Sequence, residues 1–203
     1  MNLHHDKDAF EELLIGAANE LAIPTNIIEK DYYVTIALKS LSEKLNDMVF
    51  KGGTSLTKCY QLLDRFSEDI DISYTAEAGV PGEARKRKLK KAVVATMEEL
   101  KFPITNIEDT RSRRHYNCYR AAYPSIYEQS GILKSELVVE TYVALLPFPT
   151  TNRMVDNYIY RFLKKINRLD LAEIYDLTPF AITTQTIERT LVDKVFALCD
   201  YYM

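Results

Sequence analysis

Met48-Val49-Phe50-Lys51-Gly52-Gly53-Thr54-Ser55-Leu56-Thr57-Lys58 passes from a short apolar run through a glycine pair into a hydroxyl-rich stretch, and Asp69-Ile70-Asp71-Ile72 follows with strict alternation of charged and apolar residues. An apolar run halted by glycines reads as a strand and turn, and a period of two reads as a second strand. Between them, Leu56, Tyr60 and Leu63 have the spacing of a short helix. Glycines let backbone amides approach an anion closely, and a helix start offers free N–H groups and a positive dipole end. Thr54 and Ser55 stand where hydroxyls cap that helix or bond a phosphate oxygen. On a strand, residues i and i+2 face one way at roughly 6.5–7 Å. Asp69 and Asp71 therefore share a face, and Ile70 and Ile72 point to the core. Paired carboxylates of this kind suit two divalent cations that assist in-line phosphoryl transfer.

That chemistry calls for a third carboxylate from a neighbouring strand. Glu140 interrupts the apolar run Leu137–Val143, where a charge has no packing purpose, and is the first choice. Glu136 has the same parity but lies about 13 Å away at strand rise, and ranks second. A phosphate loop of the Gly-Lys-Ser/Thr type is excluded, because Lys58 is not preceded by glycine and no leading glycine has the required spacing. A lone Gly-Gly is usually a turn, and a lone Asp-x-Asp is usually a solvated strand face. Their order and spacing carry the reading.

Outward from this centre, Phe10, Leu13, Leu14, Ala17, Ala18 and Leu21 form one face of an amphipathic helix, and Pro24 restarts the chain. A second helix runs to about residue 45, with Asp31 set on its apolar seam. A charge there must be paired or face a polar cleft. Downstream, residues 83–101 read as a helix. Strands are expected near 104–108, 116–122 and 135–145, the last with the strongest β composition. From Thr151 the pattern turns helical around 155–166, with a short extended stretch at 180–183 and a terminal helix from about 186. The predicted architecture is α/β (α+β): a mixed-sheet core over 46–148, an N-terminal helical segment over 1–45 and a C-terminal helical segment over 149–203.

The run Phe50 to Lys58, continued by Arg65-Phe66-Ser67-Glu68-Asp69-Ile70-Asp71, resembles the AbiEii-type nucleotidyltransferase toxin family of the DNA polymerase β-like superfamily. Glu29-Lys30-Asp31-Tyr32-Tyr33-Val34 and Leu191-Val192-Asp193-Lys194-Val195-Phe196-Ala197-Leu198 look like further family segments in the expected order. The resemblance implies a nucleotidyltransferase-type sheet with a nucleoside triphosphate site dependent on Mg²⁺ or Mn²⁺. It implies the toxin of a type IV toxin–antitoxin or abortive-infection pair, with a cognate antitoxin and an acceptor that is RNA, such as a tRNA 3′ end. Carried over by position, Gly52, Gly53 and Ser55 would hold phosphate, Asp69 and Asp71 metal, and Lys194 the triphosphate. Members commonly continue past the helix that carries Asp193 and Lys194, so the chain reads as a short form or as a fragment lacking part of the site. On spacing alone Lys194 is a snorkelling surface lysine. Lys58, one turn beyond Thr54, is either a further phosphate ligand or a solvated residue.

With 203 residues, 47% hydrophobic and 27% charged, the chain is long enough for a conventional core. The net charge of −3 gives no global attraction to nucleic acid or membrane, so nucleic-acid contacts need local clusters. Two exist: Arg85-Lys86-Arg87-Lys88-Leu89-Lys90-Lys91, and Arg111, Arg113, Arg114 with His115. Each could guide a nucleic-acid backbone or simply be a solvated surface. Tyr116, Tyr119 and Tyr123 have the chemistry to stack bases, although strand tyrosines more often pack. Three widely spaced cysteines, a polar N-terminus and no long apolar run point to a cytoplasmic protein without a membrane span. The function so read is transfer of a nucleotidyl group from NTP to an acceptor hydroxyl. A kinase-like phosphotransferase and a catalytically silent binding module are the alternatives.

Overall fold

A computed structural model describes residues 1–62, 67–74, 82–111, 115–127, 135–143 and 148–202. Leu63, Arg65, Phe66, Arg113 and Arg114, named above, and the end of the expected strand at 144–145 lie outside the described residues. Helices α1 (Lys7–Leu21) and α2 (Thr25–Lys44) open the chain. The Asp6 carboxylate accepts from Ala9 N to cap α1, and Ala22 ends it in the left-handed conformation. Strand β1 (Met48–Lys51) feeds α3 (Gly52–Lys58), and β2 (Ile70–Tyr74) follows. Then come α4 (Gly82–Leu100), β3 (Tyr116–Ala122), β4 (Glu136–Tyr142), β5 (Thr150–Val155), α5 (Tyr158–Lys165), α6 (Leu169–Ile174), β6 (Phe180–Gln185) and α7 (Ile187–Tyr202).

Among the described residues the strands form one mixed sheet in the order β3-β4-β2-β1-β6-β5. β1 pairs antiparallel with β2 and parallel with β6, and β2 pairs parallel with β4. Phe50, Ile70, Ile72, Tyr119, Ala121, Leu137 and Val139 join Phe10, Leu14, Tyr33, Leu38, Val93 and Met97 in one buried cluster, so α1, α2 and α4 cover one face of the sheet. Because side chains alternate across a strand, the other face carries Lys51, Asp71, Tyr116, Arg120, Glu136, Glu140 and Tyr142, all partly or well exposed.

Two expectations fail. Residues 104–108 make no strand: Ile104 forms only an isolated bridge to Ala121, and 107–109 is a 3-10 turn. The side chain of Asn106 takes the place of a ladder, accepting from Arg120 N at 2.8 Å and donating to Cys118 O at 2.9 Å. Residues 150–155, read as the approach to a helix, form β5 on the sheet edge, and α5 starts only at Tyr158, behind an Asn157 cap. The stretch 149–203 thus adds two strands to the sheet as well as its helices.

Candidate active site

The glycine pair and the aspartates meet. β1 and β2 place Lys51 opposite Asp71, and Gly52 turns directly over that carboxylate with φ +77°. A Cβ on Gly52 would lie 1.9 Å from Asp71 Oδ2, so only glycine fits there. Among the described residues no side chain caps the start of α3. Ser55 and Thr54 are buried: Ser55 Oγ donates to Gly52 O at 2.8 Å and Thr54 Oγ1 bonds Ser67 Oγ at 2.8 Å. Both hydroxyls brace the turn, and the backbone of Gly52 and Gly53 is what it presents.

On the neighbouring strand, Glu140 stands directly opposite Asp71 in the parallel register. Burial, then the Glu140 charge and a hydrogen bond with Glu140, push the Asp71 carboxyl up to about 7, despite Lys51 nearby. Asp69, just before β2, keeps much of its surface in solvent, yet its carboxyl is also raised, first by the partial desolvation of its inner side and second by Glu140. Three carboxylates thus crowd one patch without enough cation to balance them. Glu136 is committed elsewhere, in an ion pair with Arg120 at 2.7 Å, which leaves Glu140 as the third carboxylate.

The carboxylate oxygens are hard donors of the kind Mg²⁺ and Mn²⁺ accept. Among the described residues no group of three or more His, Cys, Asp or Glu side chains is arranged to hold a metal ion by itself. The Asp71–Glu140 pair with Asp69 beside it fits an ion that keeps water and substrate phosphate in its shell, as magnesium usually does.

A cavity of about 260 Å³ borders these acids, lined by Lys30, Glu68, Asp69, Arg120, Glu136 and Glu140 among others. Lys30, on α2, is 2% exposed and forms an ion pair with Glu68. Burial lowers its pKa to about 8, with Asp69 and Glu136 opposing. Nothing in the periodicity of α2 singled out Lys30 as a site residue. A usable signal lay in Glu29-Lys30-Asp31, three charges in a row on a helix. Successive helical residues diverge by about 100°, so these three cannot all reach solvent on one face. All three are buried. Glu29 accepts from Ser125 Oγ (2.6 Å) and Ile126 N (2.7 Å). Asp31 accepts from Lys58 Nζ (2.5 Å) and Tyr158 N (3.0 Å).

The Lys58–Asp31 contact corrects the reading of Lys58 as a phosphate ligand or a solvated residue. Its ammonium is 5% exposed and held by Asp31 and by Thr35 Oγ1 at 2.6 Å, where it ties α3 to α2. Asp31 is accordingly paired rather than facing a cleft. Lys194 is exposed on α7 and is not among the cavity residues. Lys51 is the cation beside Asp71, with its ammonium 5.2 Å from the centroid of the Tyr142 ring. It is legible as the last residue of the strand before the glycines. Of the tyrosines, Tyr119 and Tyr123 are buried, whereas Tyr116 is 45% exposed and donates its hydroxyl to Glu140 Oε1 at 2.8 Å.

A family model described as nucleotidyl transferase AbiEii toxin, type IV TA system, matches residues 36–202. No curated protein matches the chain. No helix among the described residues is long and apolar enough to cross a membrane.

Proposed function

Because this chain belongs to the AbiEii family of nucleotidyltransferase toxins of type IV toxin–antitoxin systems, we propose that it transfers a nucleotidyl group from an NTP to an acceptor hydroxyl on RNA, with Mg²⁺ or Mn²⁺, and that a cognate antitoxin restrains it. The observation that supports this reading best is the junction of Gly52 with Asp71 and of Asp71 with Glu140, a glycine turn directly beside a pair of carboxylates.

In this reading the backbone at Gly52 and Gly53 receives the triphosphate, and Lys51 offsets its charge. Asp69, Asp71 and Glu140 hold the divalent cation, which, when bound, supplies charge neutralisation at the reacting phosphate. Glu140, on the far side of Asp71 from the glycine turn, faces the acceptor and takes the proton of its hydroxyl. Lys30 holds Glu68, the residue before Asp69, and so fixes the approach to β2. Lys58 has no part in substrate binding here, since Asp31 occupies it, and Lys194 is carried only by the family resemblance.

The test uses α- and γ-labelled NTPs with total RNA and with cell extract, each with Mg²⁺ or Mn²⁺. Label from the α position on RNA is the expected result. Label from the γ position on any acceptor would make the chain a kinase-like enzyme instead. Glu140→Gln should reduce transfer by at least about 100-fold, the scale on which a positioned base contributes.

A further inference from the structure

The open face of the sheet continues past the acids onto β3, where Tyr116 and Arg120 border the site. Tyr116 is 45% exposed, although Tyr119 on this strand and Tyr123 just beyond it are buried. Its ring is not loose: the hydroxyl donates to Glu140 Oε1 at 2.8 Å. Arg120 lies on the same face of the same strand, its side chain 45% exposed and paired with Glu136. Neighbouring strands are about 4.8 Å apart, so β3 lies three spacings, roughly 14 Å, from β1 and its glycine turn. The acids of β2 and β4 stand between them. A triphosphate on the β1 side therefore leaves the β3 side for the group that attacks it.

We propose that Tyr116 and Arg120 form an acceptor subsite for the 3′ end of a single-stranded RNA, the terminal base stacked on the Tyr116 ring and a phosphodiester further along the strand on the Arg120 guanidinium. This rests on the nucleotidyltransferase reading above. A flat, exposed aromatic face accepts any base, and a guanidinium two same-face positions along the strand, about 13 Å away, suits a phosphate further along the chain of the ligand. The tether from Tyr116 to Glu140 adds a geometric reason. A base seated on this ring holds its own ribose hydroxyls near the carboxylate that would deprotonate one of them. The same tether makes Tyr116 a positioning residue for Glu140, separable from its role as a platform.

The experiment measures binding of a fluorescein-labelled, mixed-sequence oligoribonucleotide with a free 3′-hydroxyl, by fluorescence anisotropy, for the wild type, Tyr116→Phe, Tyr116→Val and Arg120→Gln. Calorimetric titration with Mg²⁺–NTP accompanies each variant, and circular dichroism establishes that each is folded. Tyr116→Val should weaken the oligonucleotide by about tenfold or more, the scale of one lost base–aromatic stack. Tyr116→Phe should bind it nearly as the wild type does, while kcat of transfer falls with KM for the oligonucleotide unchanged because Glu140 has lost a donor that orients it. NTP affinity should be unchanged in both. Equal oligonucleotide affinity in all variants overturns the proposal, as does equal weakening by Val and Phe, which would assign the effect to the hydroxyl. A wild-type protein that does not bind the oligonucleotide overturns it as well. The labelled-NTP assay still decides transfer in that case, so the two readings fail separately.

Discussion

Asp71 is the residue on which the most depends. Its carboxyl is held near 7 by burial and by Glu140, well above the ordinary value of 3.8. A carboxyl whose pKa is raised on folding binds more protons in the native state, so its contribution to stability is complete at low pH and is lost as pH rises through the folded value. Without metal, the wild type should therefore lose stability between about pH 4 and pH 7 relative to Asp71→Asn, which carries no charge to lose. The thermal midpoint across that range measures it, and a wild-type slope equal to the variant's would mean that neither burial nor Glu140 raises the Asp71 carboxyl. At pH 7.5 the variant should melt at or above the wild-type temperature while its transfer activity is abolished. Gly52 is the matching constraint on the backbone. Gly52→Ala places a methyl group within 1.9 Å of the Asp71 carboxylate at a φ of +77°. It should lower the melting temperature by several degrees and weaken NTP binding at least tenfold by calorimetry.

Helix α2 shows how one element can brace several others. From Glu29, Lys30 and Asp31 it reaches the 125–126 loop, Glu68 and both α3 and α5. The pair of Lys58 and Asp31 is buried on both sides, and removing one partner leaves a charge without compensation. Lys58→Met should cost about 3–5 kcal/mol in denaturant unfolding, and adding Asp31→Asn should recover part of it. A cost below about 1 kcal/mol would show that water reaches the pair. These links also mark what the sequence could reveal. The strands and helices with a clean period, α1, β2, β3 and β4, were legible because each has one face in the core. β5 was not: Thr150 to Met154 is polar and without alternation, and it is a strand only because β6 lies beside it. The glycine–aspartate junction could be inferred from residue types and order. The engagement of Lys58 could not, because its partner is 27 residues away in the sequence and the helix pattern of α3 is the same whichever way the lysine points.

Across the whole molecule, charge and apolar surface are distributed unevenly. The basic run on α4 lies in the helical layer, on the other side of the sheet from the acids. Lys88 pairs with Asp47 at 3.4 Å and packs over the Tyr74 ring, and Lys90 donates to Thr110. Reversing the exposed Arg87 and Lys91 to Glu should leave the salt dependence of RNA binding unchanged, whereas Arg120→Gln should reduce its slope by about 0.7. Filter binding over a salt series separates them. On α7, Leu191, Val195, Phe196 and Leu198 are at least half exposed, a larger apolar stripe than a soluble surface usually shows. Replacing Leu191 and Phe196 by Ser should suppress light scattering of the concentrated protein without a loss of thermal stability. The sheet order has a last consequence, for synthesis on the ribosome. β1 is flanked by β2, which follows within the next few turns of chain, and by β6, whose Thr184 hydroxyl bonds Phe50 O from 134 residues away. A growing polypeptide thus displays its glycines and its acids long before the strand that steadies them has been translated. Until Gln185 emerges, one flank of β1 is bare and Tyr60 lacks the Gln185 carbonyl to which its hydroxyl donates.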